Sequence, residues 1–180
     1  EAWVVPGNVS QEDARIITYS GSSNDRNFSL NQTLYNYDFY NNTDSNDQNS
    51  TLSTADADER LQASLQHVVV NFSPGEGRRI YVNGEFTGDV DPDEAGSLSV
   101  WDSSYAFILG NETNGNGLWQ GTLRMVAVHS RALSEEQIQQ NYSVGVGEKF
   151  FLLFSVSHLV DTSEPDTADD FIVFEVSQYD

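Results

Sequence analysis

The sequence predicts an all-β protein, a two-sheet antiparallel β-sandwich with one short helix and a C-terminal β-hairpin extension. Three observations carry this. Short apolar or alternating segments recur along the 180 residues, punctuated by turns rich in Gly, Asn and Asp. The stretch His67–Phe72 alternates cleanly, with Val68, Val70 and Phe72 on one face and His67, Val69 and Asn71 on the other. Only one segment carries a helix-start signature, Ser134 followed three residues later by Gln137, as a capping box requires.

In chain order, Ala2–Val5 reads as a strand closed by Pro6-Gly7, and Arg15–Tyr19 as a second. Ser20–Asn24 is a turn of small residues. Asn27–Tyr40 reads as a hairpin, with Phe28 and Leu30 on one face and Tyr35, Tyr37 and Phe39 sharing a face further on. The polar run Asn41–Gln48 and the acidic Thr54–Arg60 are connections. His67–Phe72 turns through Ser73–Gly77 into Arg79–Val82, and Asn83-Gly84 is the strongest hairpin signal in the chain. Asp89–Gly96 reads as an acidic loop, Tyr105–Leu109 as a strand, Asn111–Gly117 as a turn, and Thr122–His129 as a continuous strand leading to the capped helix. Beyond Gly147 lie two strongly apolar segments, Phe150–Val156 and Phe171–Val176, joined by the acidic Asp161–Asp170. They read as a hairpin packed on the preceding domain or opening a following one, with Phe151, Leu153, Phe171 and Val173 expected to be buried.

Composition bounds the function. A net charge of −20 argues against nucleic acid and anionic membrane surfaces, which attract Lys and Arg. Such a charge suits a protein that stays soluble in salt. No apolar run is long enough to span a bilayer, so membrane insertion is not expected. There is no cysteine, which excludes disulfides and thiolate metal sites. Glu1 is not a natural start, and the chain reads as a processed or partial product.

The strand opening His67-Val68, the hairpin ending Tyr81-Val82-Asn83-Gly84 and the late strand running into Arg131-Ala132-Leu133-Ser134 resemble the laminin-G-like domains of the concanavalin A-like lectin/glucanase superfamily. Glu1-Ala2-Trp3-Val4, Arg15-Ile16-Ile17 with Asn27-Phe28-Ser29-Leu30, and Trp101–Tyr105 ahead of Leu109–Glu112 agree. The resemblance covers residues 1–146 and implies a concanavalin A-like jelly roll. It implies domain bounds of 1–147 for the sandwich and 148–180 for the extension. It also implies a sandwich that is N-terminally incomplete, since family members carry at least one strand before the tryptophan strand. Trp3, by its family position, is expected in the core.

The superfamily's glycosidases place carboxylates at alternate positions on one strand, as Glu-x-Asp-x-x-Glu; the motif is absent here, and no catalytic residue is assigned. His67, His129 and His158 stand in strands away from any serine nucleophile motif and read as structural. Asp89, Asp91 and Asp93, backed by Glu94, have the oxygen-ligand spacing that suits Ca2+. The run departs from an EF-hand, with Glu94 in place of the glycine and Val100 in place of the bidentate Glu, and a solvated acidic loop is the simpler reading. Asp44, Asn46 and Asp47 form a second oxygen-rich loop. Sugar binding needs an aromatic plane beside polar groups; Tyr35, Tyr37, Tyr40, Trp101, Tyr105 and Trp119 are the aromatic candidates, and Tyr35, Tyr37, Trp101, Asp102 and Trp119 are nominated as ligand-binding residues. Asn-x-Ser/Thr sequons begin at Asn8, Asn27, Asn31, Asn41, Asn49, Asn71, Asn111 and Asn141; Asn8, Asn41, Asn49 and Asn111 are the candidate N-glycosylation sites.

The reading that follows is a non-catalytic, secreted or cell-surface module that recognises a glycan or an extracellular protein. The alternatives are a structural subunit of an extracellular fibre or surface assembly, packing against other chains, and a glycoside hydrolase.

Overall fold

The computed structural model describes residues 1–45, 50–91, 96–146, 151–154 and 172–175. Two five-stranded antiparallel sheets make up the sandwich among these residues. The strands are β1 (Ala2–Pro6), β2 (Ala14–Ser22), β3 (Asp25–Thr33), β4 (Asn36–Asn41), β5 (Thr51–Ser53), β6 (Gln66–Ser73), β7 (Gly77–Val82), β8 (Glu85–Asp91), β9 (Ala106–Leu109) and β10 (Gly121–Val126). The first sheet has the order β10-β1-β6-β7-β8, and the second β5-β4-β3-β2-β9. The helix α1 spans Glu135–Val144. A separate antiparallel pair, β11 (Phe151–Phe154) and β12 (Ile172–Glu175), bears out the C-terminal hairpin, with Phe151 opposite Glu175 and Phe154 opposite Ile172. The expected burial of Phe151, Leu153, Phe171 and Val173 lies outside the described residues, as does His158.

Cross-strand register explains why the second sheet has two unlike faces. Ile17, Leu30, Phe39 and Leu52 stand opposite one another across β2, β3, β4 and β5, and all four are buried between the sheets. Ala2, Val4, Val68, Ile80 and Val82 meet them from the first sheet. Apolar side chains on alternate positions of both sheets interdigitate in this layer, as sandwich packing requires. One buried cation crosses it. Arg78, fully buried on β7, donates to the backbone carbonyls of Phe39 (3.2 Å) and Ser50 (2.8 Å) and to the Ser50 hydroxyl (3.0 Å). Its charge is balanced by Asp91.

The outer face of the first sheet is covered by α1. Ile138 packs with Val69, Tyr81 and Leu133. Ser134 accepts from the Gln137 amide while the Gln137 side chain accepts from the Ser134 amide, so both halves of the capping box form. Trp3 is buried, as expected, but in this outer layer, against the rings of His67 and Tyr142. The Asn83-Gly84 turn has positive φ at both residues, and Tyr142 of α1 sits where a Gly84 side chain would be.

Three boundaries differ from expectation. The strand predicted to run to His129 ends at Val126, opposite Ala2, with one further backbone exchange between Glu1 and Ala127 (2.9 and 3.0 Å). Asp89 and Asp91 lie in β8 and not in a loop, since Val90 and Asp91 pair with Arg79 and Arg78. Tyr35 sits in the turn before β4, after Leu34 at φ 53°, so it does not share the face of Tyr37 and Phe39.

Candidate functional site

The outer face of the second sheet, turned away from α1, is polar across β2 to β5 and ends on Ile108 of the edge strand β9. Its first row is Arg15, Asn31, Asp38 and Ser53, each opposite the next across β2 to β5. The second row is Thr18, Ser29, Tyr40 and Thr51. Facing pairs of this kind interact directly on a sheet surface. Arg15 is 6% exposed and Asp38 6%, while Thr18, Ser29 and Asn31 have no exposure at all.

These groups hold one another. Arg15 bonds to both carboxylate oxygens of Asp13 and lies 3.6 Å from Glu112. With the Asn31 amide oxygen toward Arg15 (2.9 Å), its nitrogen donates to Ser29. Asp38 accepts from the hydroxyls of Thr33 (2.5 Å) and Ser53 (2.6 Å). Burial nonetheless pushes the Asp38 carboxyl above its ordinary value, against the lowering effect of those two bonds. Glu112 reaches over from the turn after β9, accepting from the Ser20 hydroxyl and the Thr113 amide (2.9 Å). The Arg26 guanidinium lies 4.7 Å from the centre of the Tyr40 ring. Tyr40 is half-buried, and Asp13 and Ser53 are exposed. The arrangement therefore offers a half-exposed aromatic surface flanked by a guanidinium, carboxylates and hydroxyls, on a rigid sheet. Such a surface can stack on a flat apolar face and exchange several hydrogen bonds at its rim.

A profile of the laminin-G-like family Laminin_G_3, described as concanavalin A-like lectin/glucanases superfamily, matches residues 1–139. The chain belongs to this family. No curated protein is significantly similar to this laminin-G-like domain. Membership accords with the two antiparallel sheets and the single helix among the described residues. It marks the chain coarsely as a carbohydrate- or protein-binding module of a superfamily that also holds glucanases. Among the described residues no helix is long and apolar enough to cross a membrane.

The residues nominated from sequence are dispersed in the laminin-G-like domain. Tyr37 and Trp119 are core residues. The Tyr37 hydroxyl donates to Gln66 (2.8 Å), burial pushes its phenol up, and the Trp119 indole N–H donates to Gln32 (2.8 Å). Neither ring offers a face to a ligand, because Tyr37 points inward from β4 and Trp119 is buried from the connection between β9 and β10. Tyr35 is exposed in its turn. Trp101 is half-buried at the sandwich rim, stacked on Phe28 with its N–H on the Asn42 carbonyl, and Asp102 beside it is exposed.

Of the three aspartates of the acidic run, Asp91 is the counter-ion of buried Arg78, Asp89 Oδ2 has no hydrogen-bond partner among the described residues, and Asp93 lies outside them. Asp44 binds the Ser97 amide and hydroxyl, while Asn46 and Asp47 are outside the described residues. No group of three or more metal-ligating side chains occurs among the described residues.

Of the sequons, Asn8 is half-exposed and Asn111 is half-buried, accepting from Glu112 and Gly117 amides. Asn41 is 1% exposed, so a glycan on its nitrogen would have to displace the core; Asn49 lies outside the described residues. His67 and His129 both bond to the Glu1 carboxylate, at 3.0 and 2.7 Å, and Asn141 completes its shell.

Sequence reasoning named Tyr40 among the aromatic candidates but passed over Arg15, Arg26, Asn31, Asp38 and Glu112. The period-2 polar positions Ser29, Asn31 and Thr33, opposite Asp38 and Tyr40, carried the signal, but only the pairing of four strands turns them into one surface.

Proposed function

We propose that this laminin-G-like domain is a non-catalytic recognition module that binds a glycan through the polar outer face of the second sheet, in a secreted or cell-surface protein. One observation carries the reading: two complete polar rows cross four strands on the sheet face that α1 leaves free. Sugar hydroxyls match the exposed Asp13 carboxylate and Ser53 hydroxyl, and a sugar's C–H face matches the half-exposed Tyr40 ring. A binding role is supported over hydrolysis because Asp38 is held by Thr33 and Ser53, and Glu112 accepts from Ser20 beside Arg15.

A glycan array probed with the full chain tests this. At least one glycan class is expected to be retained, and Tyr40→Ala is expected to weaken that binding at least tenfold while leaving the melting temperature within about 2 °C, as befits a half-exposed site. An array without retained glycans, or binding indifferent to Tyr40→Ala, would refute it.

A further inference from the structure

The outer face of the first sheet carries a second, chemically different site. A cleft of about 230 Å³ opens there, beside the start of α1. Its floor is β6 and β7, where Asn71 stands opposite Arg79 and Ser73 opposite Gly77. The floor strand β7 is paired on both sides, with Asn71 and Val90 flanking Arg79. Residues 132–135 form the wall. Asn71 pins them to the sheet, its Nδ2 donating to the Leu133 carbonyl (2.7 Å) and its Oδ1 accepting from the Leu133 N–H (3.3 Å). Glu76 closes the cleft from the turn between the two floor strands.

The charges in this cleft do not complete one another. Arg79 is half-buried, backed by the Phe86 ring at 5.9 Å and with the Tyr81 hydroxyl beside it. Glu76 meets its guanidinium only at 3.6 Å, beyond hydrogen-bond length, and Arg79 Nε is buried with no hydrogen-bond partner among the described residues. Glu135 on the wall forms no ion pair among the described residues, though its charge acts on Arg79 and Tyr81. The other polar groups are committed, Asn71 to Leu133 and Ser134 to the capping box. A lone anion would face two carboxylates, and a lone cation would leave the guanidinium N–H unfilled. A sugar would find no ring to stack on, because Tyr81 is 2% exposed and packed against Val69, Leu133 and Ile138. A small molecule with opposite charges close together satisfies both signs at once. Gly77 and Ala132 offer little carbon to a larger apolar group.

We infer that this cleft binds a free α-amino acid with a small side chain, its carboxylate accepting from Arg79 and its ammonium donating to Glu135 and Glu76. The site is independent of the glycan-binding face, which belongs to the other sheet and shares no residue with it.

Glycine carries both charges, acetate only the carboxylate and methylamine only the ammonium, so the three probes isolate each half. The 15N-labelled full chain is titrated with each and followed by NMR. Glycine is expected to give saturable shifts at the Gly77, Arg79 and Glu135 amides. It should bind about tenfold more tightly than acetate or methylamine, the effect of one hydrogen bond to a charged group. Arg79→Gln should weaken glycine binding by about the same factor, and Glu135→Gln should bring glycine down towards acetate. Absence of saturable shifts with glycine through the millimolar range overturns the inference. So does acetate or methylamine binding as well as glycine, or glycine binding indifferent to either substitution. Should Arg79→Gln fail to fold, Glu135→Gln decides with the three probes, because Glu135 is exposed in the first turn of α1, outside the sheet.

Discussion

Replacing Arg78 by Met removes a buried cation that ties the two sheets together through the core. The guanidinium has no exposure and holds two backbone carbonyls, one hydroxyl and the Asp91 carboxylate. Breaking a buried ion pair by taking away one partner costs about 3–5 kcal/mol, because the remaining charge and acceptors lose their donors. Asp91 keeps 23% of its side chain in water, which places the expected loss near the lower end, about 3 kcal/mol. For a domain of this size each kcal/mol moves the midpoint by roughly 2–4 °C, so melting should fall by about 6–12 °C. Urea unfolding followed by tryptophan fluorescence measures the loss directly, with a lower midpoint at unchanged slope. Asp91→Asn should cost less, since Phe39 and Ser50 still engage the guanidinium. The double variant should be less destabilised than the sum of the two. A loss below about 1 kcal/mol for Arg78→Met would refute the claim that this residue joins the sheets.

Two carboxylates should give opposite pH dependences. Burial opposes ionisation of Glu1, but bonds from His129 and His67 outweigh it and hold the carboxyl well below the usual range; its contribution is complete above the unfolded value of 4.5 and is lost as pH falls below that. Asp38 is shifted upward by burial, so its contribution declines as pH rises through and above 3.8. Urea stability from pH 3 to 7 should therefore fall less steeply towards acid for Glu1→Gln than for the parent, and decline less towards neutrality for Asp38→Asn. Ser134→Ala removes a complete capping box and should cost about 1 kcal/mol by the same assay. With Asp91 committed to Arg78, melting temperatures in millimolar Ca2+ and in EDTA should agree; a rise with Ca2+ would restore the Asp89, Asp91 and Asp93 site.

What could be read without coordinates is what depends on near neighbours in the chain. The alternation of Val68, Val70 and Phe72, the Asn83-Gly84 turn and the Ser134–Gln137 cap are local, because the periods of strand and helix and the φ preferences of Asn and Gly act over two to four residues. They sufficed for the sandwich, its helix and the hairpin β11–β12, and the motifs sufficed for the family. Pairing partners decided the rest. Tyr37 and Tyr40 are three residues apart in one short strand, yet one is sealed in the core and the other faces outward, since register sets which face each occupies. Asp91 looks like a metal ligand beside Asp89, but antiparallel pairing sets it opposite Arg78 and makes it a counter-ion. The polar rows exist only where β2, β3, β4 and β5 align, residues 15 to 53 brought into register.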